Sequence, residues 1–162
     1  MFINKYYFVI NFLFALVVII SGFSLQYVLG YIPCYLCIVE RWPYICLLFL
    51  SIAGIFYKKT WIVFTISLVM FISILLAGYH VGVEQEWWEE PSYCKKTFIK
   101  FSENNVIGDL DKLPILHQSC KESSPRIMNI SLPEMNFLFS MVLFTMSIIY
   151  RVKYSSANNI KK

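Results

Sequence analysis

The sequence predicts an all-α membrane protein, a four-transmembrane-helix bundle with two periplasmic loops. The first observation is composition, because 58% of the 162 residues are hydrophobic and 15% are charged. A soluble domain of this size could not cover so much apolar surface with polar side chains. The second observation is a set of four long segments without charge, and the third is an uneven distribution of acidic and basic residues around them.

The segments free of Asp, Glu, Lys and Arg locate the helices. They cover residues 6–39, 42–57, 61–83 and 135–150. The hydrocarbon core of a bilayer requires about 20 mostly apolar helical residues, and Gly30 and Pro33 end the first helix inside the longest segment. We therefore predict one membrane domain over residues 1–162, with transmembrane helices at about 7–29, 41–57, 61–82 and 132–150. Aromatic residues lie at the ends of these segments, as an aromatic belt would place them.

Charge predicts the orientation. With four spans, both termini and the turn at Lys58 and Lys59 lie on one side. That side carries no acidic residue, and its basic residues are Lys5, Lys58, Lys59, Arg151, Lys153, Lys161 and Lys162. All ten acidic residues lie on the other side, in or beside the predicted loops 30–40 and 83–131. Short basic segments stay in the cytoplasm, so we expect a multi-pass membrane protein with both termini in the cytoplasm. The net charge of +4 reflects this topology and contact with the lipid bilayer, and gives no reason to expect nucleic acid.

Cys34 and Cys37 form the first candidate site. Two cysteines three positions apart, directly after Pro33, can close into a disulfide and reopen with little backbone movement. On the first turn of a helix, the positive N-terminal end would favour a thiolate, and Arg41 would lie one turn beyond Cys37. A C-x-x-C motif can also be half of a zinc site, a static disulfide or a chance occurrence, so the motif alone leaves four possibilities open.

A second pair of cysteines lies in the long polar loop. The predicted topology puts Cys34, Cys37, Cys94 and Cys120 on the outer side of the membrane, where disulfides form and persist. Cys94 and Cys120 enclose 25 residues. A bridge between them could be a static constraint, contributing about 3–4 kcal/mol through loop closure, or could carry a disulfide to and from a partner. Cys46, inside the second span, is expected to be a buried apolar residue.

His80 is a further candidate, because ionisable residues inside membrane spans are rare and often functional. On a continuing helix it would share a face with Glu84. The alternative is a histidine that is hydrogen-bonded at the level of the lipid headgroups.

Together these residues resemble the DsbB family of bacterial inner-membrane disulfide oxidoreductases, over essentially the full chain. The stretch from Pro33 to Arg41 matches the P-C-x-L-C-x-x-x-R signature of the family. Further similar segments are Gly78–Glu84, Trp87 and Trp88, Pro91 to Cys94, Cys120, Arg126, and Ile130 to Leu132. Pro125 and Asn129 depart from the pattern, since many relatives carry a tryptophan and a glycine there.

The resemblance implies that the protein reoxidises a periplasmic thioredoxin-like, DsbA-type dithiol oxidase and passes the electrons to a membrane quinone, with ubiquinone favoured over menaquinone. Cys94 would form the mixed disulfide with the partner, and Cys120 would resolve it. Cys34 would receive electrons from Cys120 through an inter-loop disulfide. Cys37 would face the quinone as the charge-transfer thiolate, Arg41 would stabilise its charge or polarise the quinone, and His80 would be a further quinone-site residue.

Three other classes fit parts of the pattern. A vitamin K epoxide reductase-like enzyme shares a four-helix bundle and a quinone-like ligand, but the position of the second cysteine pair after the third span favours DsbB. A membrane metal protein could use all four outer cysteines as ligands of one metal ion, which would leave Arg41 without a role. A non-enzymatic protein could hold both pairs as structural disulfides. Metal analysis and thiol trapping distinguish the last two.

Overall fold

The protein is a bundle of four long helices. The computed structural model describes residues 2–57, 60–94, 97–98, 115–117, 119–121, 126–127 and 129–159. The long helices are α1 (Phe2–Tyr27), α3 (Arg41–Tyr57), α4 (Thr60–Glu84) and α5 (Leu132–Asn159), and a short helix α2 (Tyr35–Val39) precedes α3. Within the described residues, four segments are long and apolar enough to cross a membrane, one of them combining α2 and α3. The predicted fold class, a four-helix membrane bundle, is confirmed.

The bundle closes on itself through contacts between successive helices. Helix α1 packs on α3, α3 packs on α4, and α4 packs on α5. Tyr7 of α1 closes the ring, because its side chain stacks on Tyr150 of α5 with ring centroids 4.2 Å apart. The Tyr7 hydroxyl is also 2.6 Å from Ser147 Oγ. Gly54 lets α1 approach α3 closely, since a Cβ atom there would lie 2.3 Å from the Phe8 ring.

The outer faces of the helices are apolar. Large hydrophobic side chains on all four long helices are more than half exposed, among them Leu13, Phe49, Leu75 and Val142. A water-soluble protein rarely exposes so continuous an apolar surface, whereas a transmembrane bundle presents such a surface to lipid. Exposure of these side chains therefore agrees with the membrane fold class.

The helix ends near the loops have recognisable causes. Helix α1 is followed by Gly30, whose φ of +71° is readily adopted by glycine. Helix α3 tolerates Pro43 because it lies in the first turn, where backbone N–H groups have no intrahelical partner. Helix α5 begins with a capping box: Ser131 N donates to Glu134 Oε2 at 2.9 Å, and Glu134 N donates to Ser131 Oγ at 3.4 Å.

The long connection between α4 and α5 contains short antiparallel strand pairs. Strand β1 (Thr97–Phe98) pairs with β2 (Ile115–His117), and β3 (Arg126–Ile127) pairs with β4 (Ile130–Ser131). A 3-10 helix occupies Ser92–Cys94.

Asn129 lies in the turn between β3 and β4 with a φ of +68°. Asparagine tolerates this left-handed conformation better than most residues other than glycine. Asn129 therefore suits the turn that leads into α5. Pro125, Lys58, Lys59, Lys161 and Lys162 lie outside the described residues.

Candidate functional site

The short helix α2 positions the first cysteine pair. Cys34 is its N-cap, and the backbone N–H of Cys37 donates to Cys34 Sγ at 3.1 Å. Both residues are thiols in this structure. Cys34 is fully buried, while Cys37 is half-buried. Residues 30–40, predicted as a loop, thus contain one helical turn that holds the two sulfur atoms close together.

Cys34 is in contact with a buried histidine and its carboxylate partner. His80 Nε2 lies 3.6 Å from Cys34 Sγ, and His80 Nδ1 lies 2.7 Å from Glu40 Oε1. His80 is fully buried and Glu40 is 7% exposed. An Nδ1–H that donates to the carboxylate leaves the Nε2 lone pair directed at the sulfur. This order of thiol, imidazole and orienting carboxylate is suited to removing the thiol proton.

Glu40 also ends a chain of hydrogen bonds that runs into the bundle. Its Oε2 accepts from Asn136 Nδ2 at 2.8 Å, and Asn136 Oδ1 accepts from the Tyr44 hydroxyl. The Tyr44 hydroxyl lies 3.0 Å from Ser140 Oγ, which lies 2.8 Å from Ser73 Oγ. We call Ser73, Ser140, Tyr44 and Asn136 the polar chain.

The polar chain has a fixed direction. Tyr44 has one hydroxyl proton and donates it to Asn136, so it must accept from Ser140. Ser140 then has no proton left for Ser73 and must accept from it. Every donor in the polar chain therefore points toward Glu40, an arrangement that stabilises negative charge on this carboxylate.

A cavity of about 440 Å³ opens beside this network. Its walls come from the second half of α1, residues 31–33, the start of α3 and the start of α5, and are mainly apolar. The polar residues in its wall include Cys37, Glu40, Arg41, Tyr44 and Asn136. The volume lies within the range of pockets that hold small organic ligands.

Arg41 is held against α1. Its Nη1 donates to Gln26 Oε1 at 2.8 Å and its Nη2 to the carbonyl oxygen of Gly22 at 3.3 Å. The guanidinium carbon also lies 5.2 Å from the centroid of the Phe23 ring, within the range of a cation–π contact. A guanidinium fixed on three sides presents its charge to the cavity in a defined position.

The second cysteine pair is a disulfide in this structure. Cys94 and Cys120 are bonded, with their Cα atoms 5.3 Å apart. Both are fully buried and pack in one apolar cluster with Cys34, Leu36 and Val83. Glu90 fixes the segment around Cys120, because its Oε1 accepts from Cys120 N at 2.8 Å and from Ser119 Oγ at 2.6 Å.

The structure places the predicted site residues at one end of the bundle. Cys34, Cys37 and His80 are in one cluster, Cys94 and Cys120 pack against Cys34, and Arg41 lines the cavity with Cys37. The alternative metal site with four cysteine ligands is not formed in this state, because two of the four are bonded to each other.

One sequence expectation needs correction. Cys46 is exposed rather than buried, because it lies on the outer face of α3, between the buried residues Tyr44 and Leu47. His80 is fully buried and hydrogen-bonded, and its partner is Glu40. Glu84, which shares its helix, lies 3.9 Å from Arg126 instead.

Sequence reasoning missed three functional candidates: Glu40 as the partner of His80, Asn136 as the partner of Glu40, and Gln26 as the partner of Arg41. Glu40 was visible as an acidic residue beside an otherwise uncharged span. Asn136 was visible as a polar side chain at the start of the last span. Their partners lie 40 and 96 positions away in the chain, so the pairings themselves required the fold.

The fold and the site define a helical membrane protein with a reduced cysteine pair beside an apolar cavity and a second, disulfide-bonded pair packed against it. A family model described as disulfide bond formation protein DsbB matches residues 4–150. The chain therefore belongs to the DsbB family, which implies thiol oxidoreductase activity in disulfide bond formation.

A relative from Rickettsia prowazekii (strain Madrid E), described as an uncharacterized protein, is 26% identical over 135 residues. The match covers 80% of this chain and 77% of the relative. No solved structure matches the chain.

Proposed function

We propose that this protein oxidises a periplasmic thioredoxin-like dithiol protein of the DsbA type and transfers the electrons to a membrane quinone. The observation that carries the proposal is the position of Cys37 in the wall of the apolar cavity, with its mate Cys34 against His80 and the loop disulfide. The Cys34–Cys37 pair thus adjoins the cavity. The Cys94–Cys120 disulfide belongs to the polar loop and packs against Cys34.

The cavity residues fit a quinone. Apolar side chains from α1 and α5 suit an aromatic ring and a prenyl tail, and the guanidinium of Arg41 is suited to a ring oxygen. Gln26 and Gly22 hold that guanidinium in place. A bound quinone would supply an acceptor for two electrons and two protons. Ubiquinone and menaquinone both have a ring with two oxygens and a prenyl tail, so both suit the cavity. Of the two, we propose ubiquinone.

The protein's own residues account for the protons released when the dithiol is oxidised. Closing the Cys34–Cys37 disulfide releases two electrons and two protons. His80 Nε2 can accept the proton of Cys34 while its Nδ1 proton passes to Glu40 Oε1. Glu40 lines the cavity, and so does Cys37, the source of the second proton. Both protons therefore have a short path to the cavity.

Exchange with the partner takes place at the loop disulfide. Thiol–disulfide exchange requires direct attack of a thiolate on one sulfur. Cys94 and Cys120 are fully buried, so the segment must open before a partner thiolate can reach Cys94. Cys120 would then be released to react with the Cys34–Cys37 pair, which packs in the same cluster. We propose that both loops are periplasmic and that both termini are in the cytoplasm of a bacterial cell, as the basic residues indicate.

The proposed function is tested with purified protein, a reduced DsbA-type protein and short-chain analogues of ubiquinone and menaquinone. We expect quinone reduction that depends on the partner and is abolished in Cys37→Ser. In a Cys120→Ser variant, Cys94 is a free thiol, and its thiolate should attack the disulfide of the oxidised DsbA-type protein. This attack releases one partner thiol and leaves a mixed disulfide between Cys94 and the partner, identified by mass spectrometry. Cys46→Ser, on the outer face of α3, is the matched control and should react at the parent rate.

Two results would contradict the proposal. Quinone reduction at the parent rate in Cys37→Ser would show that the dithiol does not pass electrons to a quinone in the cavity. Parent rates of partner oxidation in Cys94→Ser and Cys120→Ser would make the loop disulfide a static constraint.

A further inference from the structure

We propose that the reduced Cys34–Cys37 pair and His80 form a binding site for a thiophilic divalent cation, with Zn²⁺ as the expected metal, which exists while both cysteines are thiols. The three ligand atoms, two Sγ and one ring nitrogen of His80, all lie within 4.8 Å of one another. Two thiolates and one imidazole are a ligand set that Zn²⁺ prefers. This site differs from one with four cysteine ligands, since neither Cys94 nor Cys120 takes part in it.

The distances are close to those of an assembled site. In a tetrahedral site with Zn–S of about 2.3 Å and Zn–N of about 2.0 Å, the sulfur and nitrogen ligands lie about 3.5 Å apart. The observed separation of Cys34 Sγ and His80 Nε2 is 3.6 Å. Two thiolate ligands in the same geometry lie about 3.8 Å apart, so a shift of about 1 Å by the half-buried Cys37 side chain would be sufficient.

Glu40 supplies an independent argument for metal binding. Histidine ligands in metal sites commonly donate their other ring N–H to a carboxylate, which fixes the tautomer and raises the basicity of the ligating nitrogen. The contact of 2.7 Å between His80 Nδ1 and Glu40 Oε1 is of this kind. Asn136 in turn fixes the second oxygen of Glu40. His80 is therefore oriented for ligation before any metal arrives.

The cavity provides room for a fourth ligand. Cys37 and Glu40 both line it, so a cation bound at the sulfur atoms can keep one water molecule beside these polar groups. Binding exchanges the two thiol protons for one metal ion, and no electrons are transferred. Formation of the Cys34–Cys37 disulfide removes both thiolates, so metal binding and dithiol oxidation exclude each other. Zn²⁺ would hold the pair in its reduced form.

The site is tested in the full-length protein carrying Cys94→Ser and Cys120→Ser, so that no loop cysteine can bind the metal. With Co²⁺ as the spectroscopic probe, the reduced protein should show sulfur-to-cobalt charge-transfer absorbance at one equivalent, and Zn²⁺ should displace it. Zn²⁺ should also slow alkylation of Cys34. The same protein oxidised to the Cys34–Cys37 disulfide should show neither effect. These readouts require no quinone, so they are independent of the proposed function.

Variants identify the ligands. Cys37→Ser and His80→Gln each remove one ligand, and each should weaken Co²⁺ binding at least about 10-fold, as expected for loss of a ligand or its support. Glu40→Gln should weaken it by about 10–100-fold, the usual effect of removing a carboxylate partner of a ligating histidine. Cys46→Ser should bind with parent affinity. Absence of the charge-transfer absorbance in the reduced protein would overturn the proposal. Parent affinity in both His80→Gln and Glu40→Gln would also overturn it, since the dithiol would then bind alone.

Discussion

Replacing Asn136 with leucine tests whether the polar chain acts on the dithiol. The Asn136 side chain donates to Glu40 and accepts from Tyr44, so the substitution removes two interhelical hydrogen bonds between α5 and the α2–α3 segment. Leucine is branched at Cγ as asparagine is, and it is the larger of the two, so the substitution leaves no cavity. We expect lower stability and lower reactivity of Cys34.

The two lost hydrogen bonds set the size of the effect. Hydrogen bonds to charged groups contribute about 1.5–3 kcal/mol in soluble proteins, whereas interhelical hydrogen bonds in membranes average about 0.6 kcal/mol and reach about 1.7. One bond here has a carboxylate acceptor and one has a neutral acceptor. For the two bonds together, we therefore expect the free energy of unfolding to fall by roughly 2 kcal/mol. This is more than two average interhelical hydrogen bonds in a membrane would contribute and less than two strong ones in a soluble protein. If about 1 kcal/mol of this is lost orientation of Glu40 and His80, Cys34 alkylation slows roughly five-fold.

The assay combines unfolding in mixed detergent micelles with alkylation of Cys34, followed by mass spectrometry of the modified peptide. Thr145→Val is the matched control, because Thr145 is an exposed residue of α5 that donates to the Met141 carbonyl within its own helix. It should leave both quantities within about 0.5 kcal/mol and two-fold of the parent, as surface substitutions do. If Asn136→Leu matches this control in alkylation rate, the polar chain is not coupled to Cys34. If Asn136→Leu matches the control in free energy of unfolding, the two hydrogen bonds make no net contribution to stability.

Three further predictions concern other parts of the molecule. Arg41→Met should raise the apparent quinone KM and lower turnover in a quinone titration. Arg41→Lys should recover only a part of the loss, because an ammonium group cannot replace the planar guanidinium and its paired donors. Unchanged kinetics in Arg41→Met would remove Arg41 from the mechanism. Gly82→Ala should shift tryptophan fluorescence, because its Cβ would be too close to the ring of Trp88, which is 47% exposed and has to move away. An unchanged emission spectrum would contradict this packing. A membrane-impermeant maleimide, added to reduced spheroplasts, should label Cys94 and Cys120, and labelling that required lysis would reverse the orientation.

The sequence was sufficient for the architecture because lipid imposes a simple rule. Every spanning helix must be apolar over about 20 residues, so uncharged segments reveal the bundle without any knowledge of packing. Helix ends outside the bilayer follow weaker rules. The capping box at Ser131 and Glu134 determines where α5 begins and could have been identified from the S-x-x-E pattern. The continuation of α5 to Asn159 depends on residues that no apolar criterion identifies.

The site was predictable to the extent that its chemistry is local. Cys34, Cys37 and Arg41 lie within eight positions, so their spacing was informative in itself. The contacts of His80 with Cys34 and Glu40 join residues 46 and 40 positions apart. Polar residues such as Asn136 and Gln26 have many possible partners in a four-helix bundle, and the geometry of the fold selects among them.

The polar chain is better explained by the site than by stability. A fully satisfied buried polar network often contributes no more to stability than a well-packed apolar one, whereas loss of a single member leaves its neighbours without partners. Ser73 and Ser140 could be replaced together by alanine with a small effect on folding, because the far end of the chain would then be apolar on both sides. The Tyr44 hydroxyl would still lose the hydrogen bond that it accepts from Ser140. The polar chain would then stabilise the negative charge on Glu40 less. The double variant should therefore change Cys34 alkylation more than it changes stability, which a purely structural network would not do.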